Sequence, residues 1–365
     1  MDRDKVQAEA LQATRGKNRC GLGLATGVGK TLVALNHLEE HYSPLINVLV
    51  VAPKKSIFDS WKSEARKFDK EKLLINITFS TYLSINKQDP REYDIVYLDE
   101  CHSLLDSHRA FLDEFNGKIL GLTGTPPKHS NSIKGRMVDD YCPIVYEFVT
   151  DNAVNNKILN DYQIIVHELW LGTQKNYQVS TKNHSFKTSE LENYLYWCTR
   201  IDAASPKGVH MSRVMRMKAM MEYKTKEKYA KLLLNSIEGK CILFANTQDQ
   251  ADRLCEYSYH SNNLDSEDNL RLFKEDKIDK LSCVLQLSEG VNIPNLKQGI
   301  IMHAYGNERK SAQRIGRLLR LNPDEKAIVH VLCYMNTVDE KWVKSALDGL
   351  DQSKIEWKNY NVQLA

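Results

Sequence analysis

Three short segments hold the residue types that phosphoryl transfer needs. Residues 25–31 read A-T-G-V-G-K-T, residues 99–102 read D-E-C-H and residues 313–320 read Q-R-I-G-R-L-L-R. In the first, Gly27 and Gly29 free the backbone to turn several N–H groups onto phosphate oxygens, with Thr26 and Val28 completing the loop. A helix starting there would add the positive end of its dipole. Lys30 would reach the β- and γ-phosphates of a triphosphate, and the Thr31 hydroxyl would join the shell of a Mg²⁺ ion. The full G-x-x-x-x-G-K-[ST] pattern is not met, because Leu24 stands where the first glycine belongs.

Asp99 would hold the same Mg²⁺, and Glu100 would orient or deprotonate an attacking water. An acidic pair after a strand is often only a solvated turn, but a metal bound to Thr31 and a triphosphate also requires a carboxylate. Gln313, Arg317 and Arg320 fall at i, i+4 and i+7, on one face of a helix, with Arg314 off that face. Guanidinium groups placed there would stabilise charge on the transferring phosphoryl, an effect worth roughly three to five orders of magnitude in rate. Taken alone, the segment reads as a basic surface helix.

These residues need strand ends to carry them. Short apolar runs at 48–52, 74–79, 94–98 and 118–123 read as strands, and the spacing at 31–40 and 56–68 predicts helices between them. Strands alternating with helices argue for a parallel sheet covered on both faces, with its sites at the carboxyl ends of the strands. A second such block runs through 241–245, 281–287, 298–303 and 327–332, and 163–170 reads as a further strand of the second sheet. The fold class is therefore α/β, with one domain over residues 1–147 and a second over 148–365. The second includes a mainly helical basic segment at about 189–235, broken at 205–208. From Lys207 to Lys231 this segment carries eight Lys and Arg against Glu222 and Glu227, interleaved with methionines. The plainer reading is a solvated basic face over a methionine-rich core face; the sharper one is contact with a phosphate backbone.

The chain has 365 residues, 42% of them hydrophobic, enough for two cores, and a net charge of only +3. Overall charge does not announce a nucleic-acid binder, so any basic surface must be local. The eight cysteines show no C-x-x-C spacing for zinc and read as reduced, mostly buried residues. The charged amphipathic start lacks a signal peptide's apolar region, and no run approaches the roughly eighteen apolar residues of a membrane span. The expectation is a protein of the cytoplasm, nucleoid or host-cell cytoplasm, neither secreted nor in a membrane.

Together and in this order, the three segments resemble superfamily 2 helicases and translocases, and the resemblance spans nearly the whole chain. It implies two tandem RecA-like domains with an ATP cleft between them, opening and closing as ATP is bound and hydrolysed. Gln7, within V-Q-A-E-A-L, resembles the family's adenine-reading glutamine. Residues 50–54 (V-V-A-P-K) resemble motif Ia and 80–82 (S-T-Y) motif Ib, which implies nucleic-acid contacts for Pro53, Lys54, Thr81 and Tyr82. Residues 122–126 (L-T-G-T-P) resemble motif III, which couples hydrolysis to domain movement. Residues 242–245 resemble motif IV, with Asn246 a nucleic-acid contact beside it. Residues 288–294 (S-E-G-V-N-I-P) resemble motif V, placing Gly290 and Asn292 near the nucleotide, and 313–320 resemble motif VI. Asn292 departs from the usual aspartate, and Gln286 stands near the place of a backbone-contacting threonine.

The pattern is closest to the branch with the phage T4 recombination helicase, the XPB repair helicase and restriction-enzyme motors. A viral or phage source fits it. The resemblance implies an ATP- and Mg²⁺-dependent motor on nucleic acid, DNA rather than RNA, working as a monomer with room for a protein partner that supplies specificity. Its work would be unwinding or branch remodelling in replication, recombination or repair. Three alternatives stay open: a double-strand translocase without unwinding, an RNA helicase, and an ATP-gated nucleic-acid clamp that hydrolyses slowly.

Overall fold

Val, Leu and Ile runs that bury both faces of a pleat make the sheet of the first half. In the computed structural model, which describes residues 2–127, 132–180, 184–284, 293–304, 325–348 and 350–360, its strands are β1 (Arg19–Leu24), β2 (Val48–Ala52), β3 (Ile77–Thr81), β4 (Ile95–Asp99), β5 (Lys118–Thr123) and β6 (Ile144–Phe148). They lie in the order β3-β2-β4-β5-β1-β6, and each neighbouring pair is parallel. Helices α1 (Arg3–Thr14), α2 (Lys30–Glu40), α3 (Ser56–Lys67), α4 (Arg109–Glu114), α5 (Ile133–Tyr141) and α6 (Thr150–Asn155) accompany the sheet.

This order positions the chemistry. β5 separates β1 from β4, so the loop leaving β1 at Leu24 and the acidic turn leaving β4 at Asp99 open on the same carboxyl edge, with the end of β5 between them. On the other side of β4 lies β2, whose following helix α3 carries the fully buried Trp61.

The strand expected at 74–79 is displaced: a 3₁₀ turn occupies Glu71–Asn76 and β3 begins at Ile77. β1 was not foreseen at all. Its sequence, R-C-G-L-G-L, is short and carries two glycines, which weakens any strand signal.

The first compact unit continues to Asp161, past the expected boundary at 147. Ala25 N–H donates to Phe148 O at 2.9 Å, extending the pairing of β1 with β6. After α6, Ile158 and Leu159 are buried, and Arg3 Nη2 donates to Ile158 O at 3.1 Å. The stretch just beyond 147 is therefore tied to the first sheet.

The second unit is built on a seven-stranded sheet. Its strands are β7 (Asp161–Leu169), then, after the antiparallel hairpin β8 (Tyr177–Ser180) and β9 (Ser185–Thr188), β10 (Cys241–Phe244), β11 (Ser258–Tyr259), β12 (Lys280–Cys283), β13 (Gln298–Ile301), β14 (Lys326–Tyr334) and β15 (Ile355–Tyr360). The order is β11-β12-β10-β13-β14-β7-β15. The expected strand near 163–170 does join this sheet. Its helices are α7 (Glu190–Asp202), α8 (Pro206–Glu222), α9 (Lys224–Ser236), α10 (Gln248–Leu254), α11 (Ser266–Lys274) and α12 (Val338–Leu347). The break expected at 205–208 is where Pro206 opens α8, since proline suits a first helical turn and not an interior.

The basic segment does not divide into one solvated face and one methionine face. Met220 is buried while Met211 is 63% exposed, and Lys226, counted among the solvated charges, is wholly buried.

Candidate functional site

The loop after β1 turns by taking Gly27 to φ +97° and Gly29 to φ +101°, a region that L side chains rarely adopt. Gly29 caps α2, so Lys30 and Thr31 begin the helix. Leu24, at the place of the missing first glycine, is the fully buried last residue of β1, and the turn starts after it. Gln7 of α1 is buried and donates through Nε2 to Val28 O at 2.8 Å, so it braces the loop from behind.

Lys30 Nζ donates to Glu100 Oε1 at 2.9 Å. Burial disfavours charge on Lys30, but the Glu100 and Asp99 carboxylates outweigh it and hold the ammonium above its usual range. Glu100 is itself at φ +51°, a backbone strain that a non-glycine residue rarely carries. Burial would keep Glu100 protonated; Lys30 and His102 overcome this and leave the carboxyl below its ordinary range. Its Oε2 is buried and makes no hydrogen bond, although His102 Nδ1 is 3.4 Å away. His102 Nδ1 also lies 2.8 Å from Thr123 Oγ1 at the end of β5.

Asp99 is buried and accepts one hydrogen bond on each carboxylate oxygen. Oδ1 accepts from Glu100 N–H at 2.9 Å, Oδ2 accepts from Trp61 Nε1 at 2.8 Å, and its carbonyl accepts from Tyr82 Oη at 3.0 Å. Burial, with the Glu100 charge alongside, pushes its carboxyl upward against the pull of Lys30 and Trp61. Gly124, after β5, closes the corner: a side chain there would come 3.2 Å from Lys30 Nζ and 3.0 Å from Thr26 Oγ1.

The expected residues Gln7, Thr26, Gly27, Val28, Gly29, Lys30, Thr31, Asp99 and Glu100 thus share one carboxyl edge of the first sheet or, for Gln7, its support. Gly290, Asn292, Gln313, Arg317 and Arg320 lie outside the described residues. Lys54 is exposed, and Pro53 and Thr81 are half-buried at the ends of β2 and β3. Tyr82, expected to contact nucleic acid, is instead a core residue: only 6% exposed, its ring tilted against that of His108 with centroids 5.4 Å apart, its hydroxyl spent on Asp99 O. Asn246 is half-buried and bonded twice to Gln250 Oε1, at 3.0 Å from its N–H and 3.2 Å from Nδ2.

Sequence reasoning missed Trp61, His102, Thr123 and Gly124 as parts of the site. His102 lies within the acidic motif and Thr123 and Gly124 within L-T-G-T-P, so two of their motifs were in hand. Trp61 sits 38 residues from Asp99 in an ordinary amphipathic helix and carries no local signal.

Comparison with known proteins agrees in both halves. Residues 1–128 match the family model of the type III restriction enzyme res subunit, and residues 224–322 match the helicase conserved C-terminal domain. The DNA 3'-5' translocase XPB2 of Sulfurisphaera tokodaii is 22% identical over 357 residues, covering 89% of this chain and 80% of that protein. Among solved structures, the ATP-dependent type ISP restriction-modification enzyme LlaBIII bound to DNA superposes with a TM-score of 0.63 at 14% identity, over 98% of this chain and 31% of that one. A fragment of a putative HsdR subunit of a type I restriction enzyme from Vibrio vulnificus YJ016 gives 0.61 at 17%, over 98% and 67%. With the type III restriction res-subunit match over the first unit's glycine-turned loop and acidic turn, and the helicase C-terminal match following it in sequence, the chain belongs to the superfamily 2 helicases and translocases, which are nucleic-acid-dependent ATPases.

Proposed function

We propose that the chain is a DNA motor that couples ATP hydrolysis at the Lys30–Asp99–Glu100 edge to movement on the duplex or its branches. The observation that carries this reading is Glu100: its Oε2 is a buried acceptor without a hydrogen bond, held 2.9 Å from the phosphate-loop lysine through its other oxygen. Such an atom suits a group that takes a proton from, or orients, a water attacking the γ-phosphate. In this reading Gly27 to Lys30 bind the phosphates, and binding draws Lys30 from Glu100 to the β- and γ-oxygens. Thr31 and Asp99 would hold Mg²⁺, which neutralises phosphate charge when bound. The glycine cradle fits the phosphates, and the buried Asp99 carboxylate, which keeps a lone pair on each oxygen, fits that ion. Gln313, Arg317 and Arg320 are assigned to the transferring phosphoryl on sequence grounds, and Gly290 and Asn292 to the nucleotide. Gln7 is assigned to adenine as well as to the loop.

Support for DNA over RNA comes from the similar proteins, one named a DNA translocase and one solved bound to DNA. Pro53, Lys54 and Thr81, at the exits of β2 and β3, are the proposed backbone contacts, with Asn246 a further one in the second unit. We read the protein as a monomer in which a partner supplies specificity. Among the described residues no helix is long and apolar enough to cross a membrane.

The test is ATP hydrolysis measured side by side with single-stranded DNA, duplex DNA, a four-way junction and RNA. Stimulation by DNA that disappears in Lys30→Ala is expected. Equal rates without nucleic acid, or a Lys30→Ala protein that turns over normally, would overturn the reading. Strong stimulation by duplex with little strand separation would favour the translocase form.

A further inference from the structure

Among the described residues beyond the phosphate-loop site, the most fully buried pair of opposite charges lies in the second unit. Lys226, in the first turn of α9, and Asp339, in the first turn of α12, are 113 residues apart, and both side chains are wholly shielded from solvent. Their ammonium and carboxylate pair directly. The Lys226 ammonium also donates to Met302 O at 3.1 Å, lies 3.2 Å from His303 Nδ1, and sits 4.7 Å over the Tyr334 ring. An ammonium can only donate, so Nδ1 of His303 accepts and the ring proton sits on Nε2. Asp339 in turn accepts the Tyr334 N–H at 2.9 Å, and the Lys226 backbone N–H donates to Tyr334 Oη at 3.1 Å. His303 Nδ1 is 4.0 Å from Asp339 Oδ1.

The partners of the pair are not scattered. Met302 and His303 follow β13 directly, and Tyr334 is the last residue of its parallel neighbour β14. One lysine and one aspartate therefore clamp the exits of two adjacent strands, at the carboxyl edge where parallel sheets carry their sites.

Fold stability is a poor reason for such a pair. Well-packed apolar residues in place of a buried ion pair are often neutral or stabilising, while loss of one partner alone is strongly destabilising. What an apolar pair lacks is direction: it cannot fix a carbonyl and an imidazole at set angles. We propose that Lys226 and Asp339 are positioning residues for the chain that leaves β13. They fix Met302 and the tautomer of His303, and so set the starting point of the following sequence, which carries Gln313, Arg317 and Arg320. They do not touch ATP. This inference rests on the proposed motor activity.

The experiment compares DNA-stimulated ATP hydrolysis by the full chain and by Lys226→Met/Asp339→Leu. The double variant should melt within a few degrees of the parent and keep its KM for ATP, while kcat falls tenfold or more. An unchanged kcat in a folded double variant would overturn the proposal. A second pair covers the case in which the double variant does not fold. His303→Leu keeps the ion pair but loses the acceptor, and His303→Asn restores an acceptor near the place of Nδ1. A drop in kcat for His303→Leu, largely recovered in His303→Asn at constant KM, is expected; equal rates in both would sink the idea. Those rates leave the motor reading intact as long as Lys30→Ala is inactive. A parent chain without DNA-stimulated hydrolysis removes both.

Discussion

Lys30 and Glu100, seventy residues apart in sequence, meet at 2.9 Å on the carboxyl edge of the first sheet. Each answers the other's burial: the lysine stays charged because of the carboxylate, and the carboxylate stays ionised because of the lysine. Glu100→Gln should therefore keep ATP bound while kcat falls by roughly 10²- to 10⁴-fold, the usual worth of a positioned base. Single-turnover hydrolysis beside equilibrium nucleotide binding separates the two effects. A rate within threefold of the parent would remove Glu100 from the chemistry.

Trp61→Phe should preserve the ring packing on Tyr97, now at 5.6 Å between centroids, while stripping the N–H from Asp99 Oδ2. A buried carboxylate oxygen left without its donor costs about 1–3 kcal/mol. Chemical denaturation should register that loss, and a Mg²⁺ titration of the ATPase should show a raised requirement. No change in either would mean that the indole N–H does not hold Asp99.

Gly29 resists a methyl group mainly through its backbone, because the end of the Gln7 side chain nearest an added Cβ can shift. At φ +101° an alanine is strained, and its Cβ would overlap Nε2 of Gln7. Gly29→Ala should abolish nucleotide binding. Gln7→Ala should weaken ATP binding through the lost 2.8 Å bond to Val28 O, at about 1 kcal/mol. If Gln7 also reads adenine, the same variant relaxes the preference for ATP over GTP. Discrimination preserved at parental level would leave Gln7 as a brace only.

Tyr82 and Lys54 should behave oppositely. Tyr82→Phe removes the 3.0 Å bond to Asp99 O and should lower stability by about 1 kcal/mol without changing DNA affinity. Lys54→Ala should leave the melting temperature alone, weaken DNA binding and flatten its salt dependence by about one phosphate contact. Binding titrations over a salt series distinguish them.

Acid should destabilise both units. Burial and the hydrogen-bonded partner ring lower His167 to about 3, burial lowers His330 to about 4, and burial lowers His37 of the first unit to about 4, all from an ordinary value of 6.5. Below 6.5 the unfolded chain takes up protons that these folded imidazoles refuse. Stability is therefore fully present above 6.5 and lost as pH falls toward about 4, at up to about 1.4 kcal/mol per pH unit for each histidine. His330→Gln should flatten the pH dependence of the second unit's melting between 4 and 6.5. A slope unchanged by that substitution would assign the acid sensitivity to other groups.

Much of this molecule was legible in the chain. Alternation of apolar β-rich runs with helical spacing is local information, and it located β2, β4, β5, β10, β13 and β14 as well as α2 and α3. The phosphate-loop and acidic motifs were legible because their chemistry demands particular residues at particular separations. β1 was not, since a strand with two glycines looks like a loop until β5 and β6 pair with it. Nor was the boundary at Asp161, which depends on Ile158 and Leu159 finding cover on the first unit.

The sequence by itself determined the residue types, their order and the α/β class, and hence the family, because those depend on neighbours along the chain. Packing decided which of the polar residues are spent and which are available. Tyr82 looked like part of a binding surface and is a strut beneath Asp99. Lys226 looked like one more solvated charge and is paired with Asp339, which lies 113 residues away. Trp61 carried no signal and holds the acidic turn. Burial and long-range pairing arise only when distant segments close on one another, and no local pattern of residues records them.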